Sequence, residues 1–468
     1  MRSLDRSRAQ NPRAEVVICG AGIAGISAAY HLAAVRRVGR VVLIDERAPL
    51  TLTSDKSTEC YRNWWPGPGD AMVRLMNRSI DLLDGWARET NNRFQLNRRG
   101  YLYATADTAR IEQLAVAGRE AAALGAGPLR THSGAASDPP YVPASPSGFE
   151  GETDGSDLIT DGGLIERHFP YLAKDTVAVI HARRCGWFSA QQLGALLLER
   201  ARRAGAEVVA GRLASVEVHG GRLRQVRIER SHGEERLATE RLVLAAGPFL
   251  QQAAAMLGLR LPVFAEWHAK LAMADPLGVI PRQAPLLIWT DPQHLEWSNE
   301  ERAELASSPA TRSLLESFPS GVHARPEGPD DSPMLLILWT YHTEPREPVF
   351  PAPVDPMYPE VALRGLARMV PGLRAYFDRA PRPVVDGGYY LKTRENRPLI
   401  GRLPVDGAFV IGALSGFGLM ASPAAGELLA AYATGETPPD YAAAFRPERY
   451  EDPAYQALLE NWGSTGQL

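Results

Sequence analysis

The sequence contains little cysteine, and this limits the kinds of protein that it can encode. Only Cys19, Cys60 and Cys185 occur in 468 residues, and no two of them have the spacing of paired ligands. A disulfide framework and a metal site are therefore not expected. So few unpaired thiols are typical of a reducing compartment, and we expect a cytoplasmic protein.

Long apolar runs and an excess of one charge are also missing. No apolar run approaches the roughly 18 residues that a transmembrane helix needs, so no membrane span is expected. The net charge is −3, which argues against a nucleic acid or an anionic membrane surface as partner. The Arg-rich residues 1–13 lack the apolar core of a signal peptide, and we predict a disordered tail there.

The most informative stretch lies near the start of the chain. The apolar run Val16–Cys19 leads into Gly20-Ala21-Gly22-Ile23-Ala24-Gly25, and helix-forming residues follow. This G-x-G-x-x-G spacing predicts a strand, a tight turn at Gly20, close backbone approach to a pyrophosphate at Gly22, and close helix packing at Gly25. A second apolar strand ends at Asp45, about 20 residues later, where a carboxylate binds a ribose hydroxyl in such folds. We predict a dinucleotide site; the alternative is a βα turn without a ligand.

The loop after Asp45 is rich in small hydroxyl residues and contains a lysine. Such residues donate to phosphates, although they also cap helices and form turns. We favour the first role, and the candidates are Glu46, Arg47, Ser54, Lys56, Ser57 and Thr58.

Two later stretches combine an apolar strand with small residues. Leu242–Leu244 leads into Ala245-Ala246-Gly247, where backbone can pass close to a ligand, and a plain strand-to-helix turn is the alternative. The apolar strand Ala408–Gly412 is followed by a glycine-rich turn and a predicted helix over 420–433. Leu213, in a predicted β-meander after residue 207, is a further cofactor candidate.

Two groups of side chains between residues 262 and 350 allow more than one interpretation. Glu266, His268 and Lys270 alternate along one predicted strand, so they project from the same face, either into solvent, which is the commoner case, or into a polar cavity. Trp339 and Tyr341 also share a face, as a core aromatic pair or as an aromatic cage for a substrate.

These pieces together resemble the flavin-dependent amine and D-amino-acid oxidase superfamily, which includes glycine oxidase, sarcosine oxidase and dimethylglycine dehydrogenase. The resemblance rests on residues 16–25 with Asp45, on Gly186-Trp187 and the helix after it, on 242–247, and on 396–401 followed by 412–418. It covers most of the chain except about 130–165 and 275–335. The order of all four pieces is much more specific than the N-terminal fingerprint, which many nucleotide binders share.

The resemblance implies an α/β, Rossmann-like FAD-binding domain of the glutathione-reductase type, and a second α+β domain of mainly antiparallel sheet. The FAD-binding domain is expected in 14–105, 165–260 and 385–450, the substrate domain with insertions in 106–164 and 261–384, and a C-terminal tail in 451–468. FAD is expected to be non-covalent, since the C-terminal turn has no cysteine and the loop after Asp45 has no histidine. That turn is implied to contact the flavin through Gly412, Ser415, Gly416, Phe417, Gly418, Leu419 and Met420.

The implied reaction is oxidation of a C–N bond in an amino acid or an N-substituted amine by hydride transfer to flavin N5, after which the imine is hydrolysed. Because no second dinucleotide fingerprint is present, the substrate rather than NAD(P)H should reduce the flavin. The electron acceptor is oxygen, or else a carrier or quinone. A non-catalytic FAD-binding assembly factor is the alternative of a different class, and the oligomeric state is open.

A substrate carboxylate would need a cation and hydroxyl donors. Lys392 with Tyr389 and Tyr390 is the leading candidate group, and Arg394 and Arg62 are the alternatives. The resemblance further implies that Lys270 lies near flavin N5 and favours reaction with oxygen, and that His268 orients the substrate. Trp64, in an aromatic turn, completes the substrate candidates together with Trp339 and Tyr341.

Overall fold

The computed structural model describes residues 12–329 and 331–463. The predicted disordered tail lies outside the described residues except for residues 12 and 13. The carbonyl of Pro12 accepts from the N–H of Ala238 at 2.9 Å, and Arg13 forms a β-bridge with Ala238, so these two residues are ordered.

The strands are β1 (Val16–Cys19), β2 (Val41–Asp45), β3 (Cys60–Arg62), β4 (Tyr101–Thr105), β5 (Leu129–His132), β6 (Ser156–Ile159), β7 (Ala178–Ala182), β8 (Cys185–Trp187), β9 (Glu207–Ala210), β10 (Arg212–His219), β11 (Arg222–Arg230), β12 (Gly233–Ala238), β13 (Leu242–Leu244), β14 (Phe264–Ala274), β15 (Leu286–Trp289), β16 (His323–Pro326), β17 (Met334–Leu338), β18 (Val384–Lys392), β19 (Leu399–Arg402) and β20 (Ala408–Gly412). The helices are α1 (Ile23–Ala29), α2 (Ala71–Glu89), α3 (Arg110–Ala121), α4 (Gly162–His168), α5 (Ala190–Arg203), α6 (Leu250–Ala255), α7 (Asn299–Ser307), α8 (Tyr358–Met369), α9 (Gly418–Thr434) and α10 (Pro453–Glu460). In the part of the chain that the structure describes, no helix is both long and apolar enough to cross a membrane.

A six-stranded sheet in the order β19-β20-β13-β1-β2-β9 forms the first layer. All its pairs are parallel except β19 with β20. Its central strands are apolar at every position because both faces are covered: α1, α5 and α9 pack on one face, and the β10-β11-β12 meander packs on the other. The carboxyl ends of β2, β1, β13 and β20 therefore meet at one edge.

A nine-stranded, mainly antiparallel sheet in the order β18-β14-β17-β16-β15-β4-β7-β6-β5 forms the second layer. One face carries Leu271, Leu287 and Ile337, which pack against α8. Because side chains alternate along each strand, neighbouring strands contribute a row of side chains to the other face of the sheet. The members of this row are Tyr390, His268, Leu338, His323, Leu286 and Tyr101.

Three strands within the predicted FAD-binding ranges belong to this second sheet. They are Tyr101–Thr105, Ala178–Ala182 and Val384–Lys392. A short apolar strand has the same sequence pattern in either sheet, and only its tertiary partners decide which one it joins. The end of the chain also differs from the predicted tail: α10 is helical, and the hydroxyl of Tyr455 donates to the buried carboxylate of Glu395 at 2.9 Å. Residues 464–468 of that predicted tail lie outside the described part of the chain.

Helix α9 begins at Gly418, two residues before the predicted start, so Pro423 lies inside it. Proline has no N–H, and the carbonyl of Leu419 therefore loses its helical partner. The hydroxyl of Ser422 donates to this carbonyl at 3.1 Å. From α2, the buried Ser79 hydroxyl accepts from the N–H of Ala424 at 3.0 Å and donates to the carbonyl of Ala421 at 3.2 Å. Hydroxyl groups thus replace the backbone bonds that the proline removes.

Replacing Ser79 by alanine should lower the free energy of unfolding by about 1–3 kcal/mol, because the two buried hydrogen bonds of the Ser79 hydroxyl to Ala421 and Ala424 would be lost. Thermal unfolding of the FAD-bound protein, followed by circular dichroism, measures the change. Ser317→Ala is the matched control, since Ser317 is exposed. Equal melting temperatures for the two variants would contradict this role of Ser79.

Candidate functional site

A cavity of about 300 Å³ lies at the carboxyl edge of the six-stranded sheet. It is lined by the ends of four neighbouring strands and the loops that follow them, at 19–24 except Ala21, at 44–47, at 245–249, and at 411–419 except Phe417. Strands in a sheet are spaced about 4.8 Å apart, so a ligand that contacts all four must span about 14 Å. The cavity therefore suits an extended molecule.

The turn after β1 has no room for side chains. Gly20 has φ +113°, and a Cβ there would lie 2.3 Å from the carbonyl oxygen of Ala245. A Cβ on Gly25 would lie 2.0 Å from the carbonyl oxygen of Gly20. Asp45 supports the turn from β2, because its Oδ2 accepts from the N–H of Ala21 at 2.8 Å. The close packing that the glycine spacing predicted is present.

The turn after β20 is held in an unusual backbone conformation. Ala413 and Ser415 have φ of 50° and 47°, which non-glycine residues rarely adopt. The N–H of Ser415 donates to the carbonyl of Leu391 at 2.9 Å, which ties the turn to β18. A Cβ on Gly416 would lie 2.6 Å from Cε2 of Tyr390, so only glycine allows this ring to pack against the turn. Strained backbone of this kind is concentrated at ligand sites.

A second, smaller cavity of about 50 Å³ adjoins the first, and Tyr390 and Gly416 line both. The nine-stranded sheet and the loop over 58–65 form its walls. The lining residues are Thr58, Cys60, Arg62, Trp65, Tyr101, His268, Leu286, His323, Leu338, Thr340, Tyr390, Gly416, Phe417 and Met420. The smaller cavity, whose lining is partly polar and partly apolar, therefore lies beside one end of the larger cavity.

Arg62 and Lys392 are both buried cations, but their surroundings differ. Arg62 lines the smaller cavity; it donates to the Tyr103 hydroxyl at 3.0 Å, and its guanidinium lies 4.7 Å from the centre of the Trp65 ring. Lys392 lies outside the residues that line either cavity, and its Nζ is 2.9 Å from Oε2 of Glu266. Lys392 is therefore neutralised by Glu266 inside the protein, and Arg62 is the cation that lines the smaller cavity.

His268 is held by groups on both sides of its ring. Its Nε2 is 3.1 Å from Glu266, its Nδ1 is 2.8 Å from the Thr340 hydroxyl, and its ring stacks on Tyr390 at 4.0 Å. Burial lowers the pKa of His268 below its ordinary value, although the hydrogen bond to Glu266 opposes this. For Glu266, burial would raise the pKa, but hydrogen bonds from His268 and Lys392 hold it below its ordinary value. We therefore assign a neutral His268 beside an ionised Glu266.

The sequence left open whether Glu266, His268 and Lys270 project into solvent or into the protein, and the structure distinguishes these alternatives. These residues are 5%, 5% and 9% exposed, so the strand face is buried rather than solvated. Lys270 does not line either cavity; its Nζ is 3.4 Å from the carbonyl of Ser57 and 3.5 Å from Asp386.

Most of the predicted cofactor residues line the larger cavity. They are Gly20, Gly22, Ile23, Ala24, Asp45, Glu46, Arg47, Ser54, Ser57, Leu213, Ala245, Ala246, Gly247, Gly412, Ser415, Gly416, Gly418 and Leu419. Six lie elsewhere. Ala21 and Gly25 support the turn from behind, Lys56 forms ion pairs with Asp55 and Asp386, and Thr58, Phe417 and Met420 line the smaller cavity.

The predicted substrate residues are more scattered. Only Arg62, Tyr390 and His268 line the smaller cavity, and Tyr389 lines the larger one. Trp339 and Tyr341 pack in the core beside α8, which favours a core pair over a cage. Trp64 packs against Tyr103, and Arg394 is exposed at the surface. Spacing along a strand shows which face a side chain shares, and it cannot show what covers that face.

His323 and Thr340 line the smaller cavity and were not predicted. His323 alternates with Arg325 on β16, which is the only local signal, and the sequence does not show that β16 pairs with β17 beside β14. Phe249 and Gln252, in the larger cavity, directly follow the predicted Gly247 contact and could have been included.

The thiols do not form a reactive or metal-binding group. Burial raises the pKa of Cys60 to about 11, and it raises the pKa of Cys19 and Cys185 to about 12. Among the described residues, no group of three or more His, Cys, Asp and Glu side chains could hold a metal ion.

The fold and the cavity are those of a dinucleotide-binding protein, and comparison with known proteins identifies the dinucleotide as FAD. A family model described as "FAD dependent oxidoreductase" (DAO) matches residues 15–432. The chain belongs to this family and is an FAD-dependent enzyme, which confirms the predicted family, cofactor and fold class. The cavity fits FAD, because four strand ends line it along its length and the glycine turns leave backbone exposed to the ligand.

Solved structures show the same fold. L-Proline dehydrogenase from P. horikoshii is 18% identical, with 94% of this chain and 98% of that chain covered and a TM-score of 0.71. Glycine oxidase from Geobacillus kaustophilus is 18% identical, with coverage of 94% and 99% and a TM-score of 0.70. Iminodiacetate oxidase from Chelativorans sp. BNC1 is 21% identical, with coverage of 92% and 99% and a TM-score of 0.66. A search of curated protein sequences found no significant match.

Replacing Gly25 by alanine should weaken FAD binding by at least about tenfold, because the added methyl group would force α1 away from the turn. The ratio of flavin to protein absorbance after purification and dialysis measures this. Gly85→Ala in α2 is the matched control, since a Cβ there meets no atom within 4 Å. Full flavin content in the Gly25 variant would show that close packing of α1 against the turn at Gly20 is not needed for FAD binding.

Proposed function

We propose that this enzyme oxidises the C–N bond of an amino acid or an N-substituted amino acid. The observation that carries the proposal is the smaller cavity, which holds the Arg62 guanidinium and shares Tyr390 and Gly416 with the cofactor cavity. When bound, FAD supplies a two-electron acceptor that takes a hydride from carbon. A substrate in the smaller cavity would lie directly beside that acceptor.

Arg62 is the group we assign to the substrate carboxylate. A guanidinium binds a carboxylate through two parallel hydrogen bonds, and burial strengthens such a pair. Trp65 and Tyr103 hold the Arg62 side chain in place from two sides. Lys392, the leading candidate from the sequence, already neutralises Glu266, so we now assign it the role of fixing Glu266 and His268 behind Tyr390.

The surroundings of the amine nitrogen also fit this chemistry. A hydride leaves the carbon only when the neighbouring nitrogen is neutral, and a buried chamber with neutral histidines disfavours an ammonium group. Burial lowers the pKa of both His268 and His323, so neither ring adds positive charge at neutral pH. In the named relatives, glycine, proline and iminodiacetate each join a nitrogen and a carboxylate through one carbon, which supports the same substrate class here.

An anaerobic absorbance titration of the FAD-bound protein tests the proposal. Amino acids and N-methylated amino acids are added one at a time, and a true substrate should bleach the flavin band near ~450 nm within seconds. Admission of air then distinguishes the two acceptors: recovery of the band with release of peroxide indicates an oxidase, and a band that stays bleached indicates a dehydrogenase. Bound flavin that no amine bleaches would overturn the proposal and favour the non-catalytic assembly factor.

Replacing Arg62 by methionine should raise the KM for an amino acid substrate by roughly 100-fold, because the carboxylate would lose its charged partner. Flavin content should stay unchanged, since Arg62 lies outside the larger cavity. Lys392→Met should lower thermal stability by leaving Glu266 buried without its cation, while KM changes less than tenfold.

The exposed Arg394 supplies the matched control, and Arg394→Met should leave KM and stability as in the wild type. Steady-state kinetics with a single substrate, combined with melting temperatures, separates these outcomes. A wild-type KM in the Arg62 variant would show that the carboxylate binds elsewhere.

A further inference from the structure

The two histidines of the smaller cavity differ in what their ring nitrogens contact. His268 uses both nitrogens inside the protein, Nε2 toward Glu266 and Nδ1 toward Thr340. His323 uses only Nδ1, which lies 2.8 Å from the carbonyl oxygen of Gly321. A carbonyl accepts and does not donate, so Nδ1 of His323 carries the proton. Its Nε2 is then an acceptor, and it has no hydrogen-bond partner among the residues that the structure describes.

The position of His323 in the sheet directs its Nε2 toward the smaller cavity. The strand β16 pairs with β15 and β17, and His323 lies opposite Ile288 and Leu338. Leu338, Leu286 and His323 all line the smaller cavity. The residue is 8% exposed, so its second nitrogen has little contact with bulk water. Burial also lowers the pKa of His323 to about 4, which keeps the ring neutral and the acceptor available at pH 7.

Arg62 and His323 line the same cavity of about 50 Å³, and the positive charge of Arg62 contributes to the lowered pKa of His323. In an amino acid, one carbon separates the nitrogen from the carboxylate, so a ligand anchored at Arg62 carries its nitrogen into this small space. We infer that Nε2 of His323 accepts a hydrogen bond from the N–H of the substrate amine, and that the site therefore takes primary and secondary amino acids and disfavours tertiary ones. This inference rests on the proposed function.

The physical basis of this selectivity is the free-energy cost of leaving the buried acceptor Nε2 without a hydrogen-bond donor. A neutral primary or secondary amine has an N–H to donate, and a neutral tertiary amine has none. A tertiary amine would displace water from Nε2 without replacing its hydrogen bond, which is a loss of roughly tenfold or more in affinity.

A pair of planar acids tests this without requiring turnover. Pyrrole-2-carboxylate and furan-2-carboxylate have nearly the same shape, and they differ in a ring N–H against a ring oxygen. Their dissociation constants for the FAD-bound enzyme are measured by calorimetry or by the change in flavin absorbance. We expect the wild type to bind the pyrrole acid about tenfold more tightly than the furan acid.

Two variants assign the preference to His323. His323→Leu should bind the pyrrole acid more weakly than the wild type does and the furan acid with unchanged affinity. The two acids should then bind this variant equally. His323→Gln keeps a side-chain acceptor and should restore part of the preference. Arg62→Met should weaken both acids by the same factor. If the leucine variant does not fold, the glutamine variant and the wild-type comparison still decide the outcome.

The possible failures are distinguishable. Equal binding of both acids by the wild type, or an unchanged preference in His323→Leu, would overturn the role of His323 and leave the proposed function intact. Binding of neither acid would show that the Arg62 carboxylate site is wrong, and the His323 inference would fall with it. A further expectation is that N-methyl amino acids are oxidised with a higher kcat/KM than their N,N-dimethyl counterparts, and that His323→Leu reduces this ratio.

Discussion

The close contact between Gly416 and the ring of Tyr390 is the constraint on which the two-cavity arrangement depends. It joins the turn after β20, in the parallel sheet, to β18, in the antiparallel sheet. The hydrogen bond from Ser415 to Leu391 fixes the same junction through the backbone. Because both cavities use Tyr390 and Gly416 as a shared wall, this junction sets the position of a substrate relative to the cofactor.

Behind Tyr390, buried charged groups pair with one another rather than facing the smaller cavity. Glu266 accepts from Lys392 and from His268, and His268 stacks on Tyr390. Removing two charges from water is costly unless they pair, and this pair is complete within the protein. Arg325, which is 1% exposed, similarly pairs with Glu59 and donates to the carbonyl of Thr58 at 2.7 Å. That contact ties the loop before Arg62 to β16, which carries His323, and so it helps to hold the two residues at the same cavity.

Prediction succeeded where function depends on local backbone. The fingerprint at Gly20, Gly22 and Gly25 needs only neighbouring residues to form its turn, and the structure shows the steric reason for glycine at Gly20 and Gly25. The helix α5 and the strands β1, β2, β13 and β20 follow from local runs of helix-forming or apolar residues. Prediction was weaker for the substrate site. Lys392 and Arg62 are both cations in suitable segments, and their tertiary surroundings distinguish them: Lys392 binds Glu266, 126 residues away, and Arg62 lines the smaller cavity.

The sequence by itself determined a dinucleotide site, because the glycine turns and the acid after β2 are short segments whose backbone geometry is sufficient to bind one, and the order of these segments with the later ones pointed to the family and to FAD. Tertiary structure alone decided which side chains line the proposed substrate cavity. Glu266, His268 and Lys270 have the same strand spacing whether they meet water or a cavity, and Trp339 has the same spacing in a core or a cage. The covering elements come from distant parts of the chain, and their contacts set the burial, charge and hydrogen-bond partners that give each residue its role.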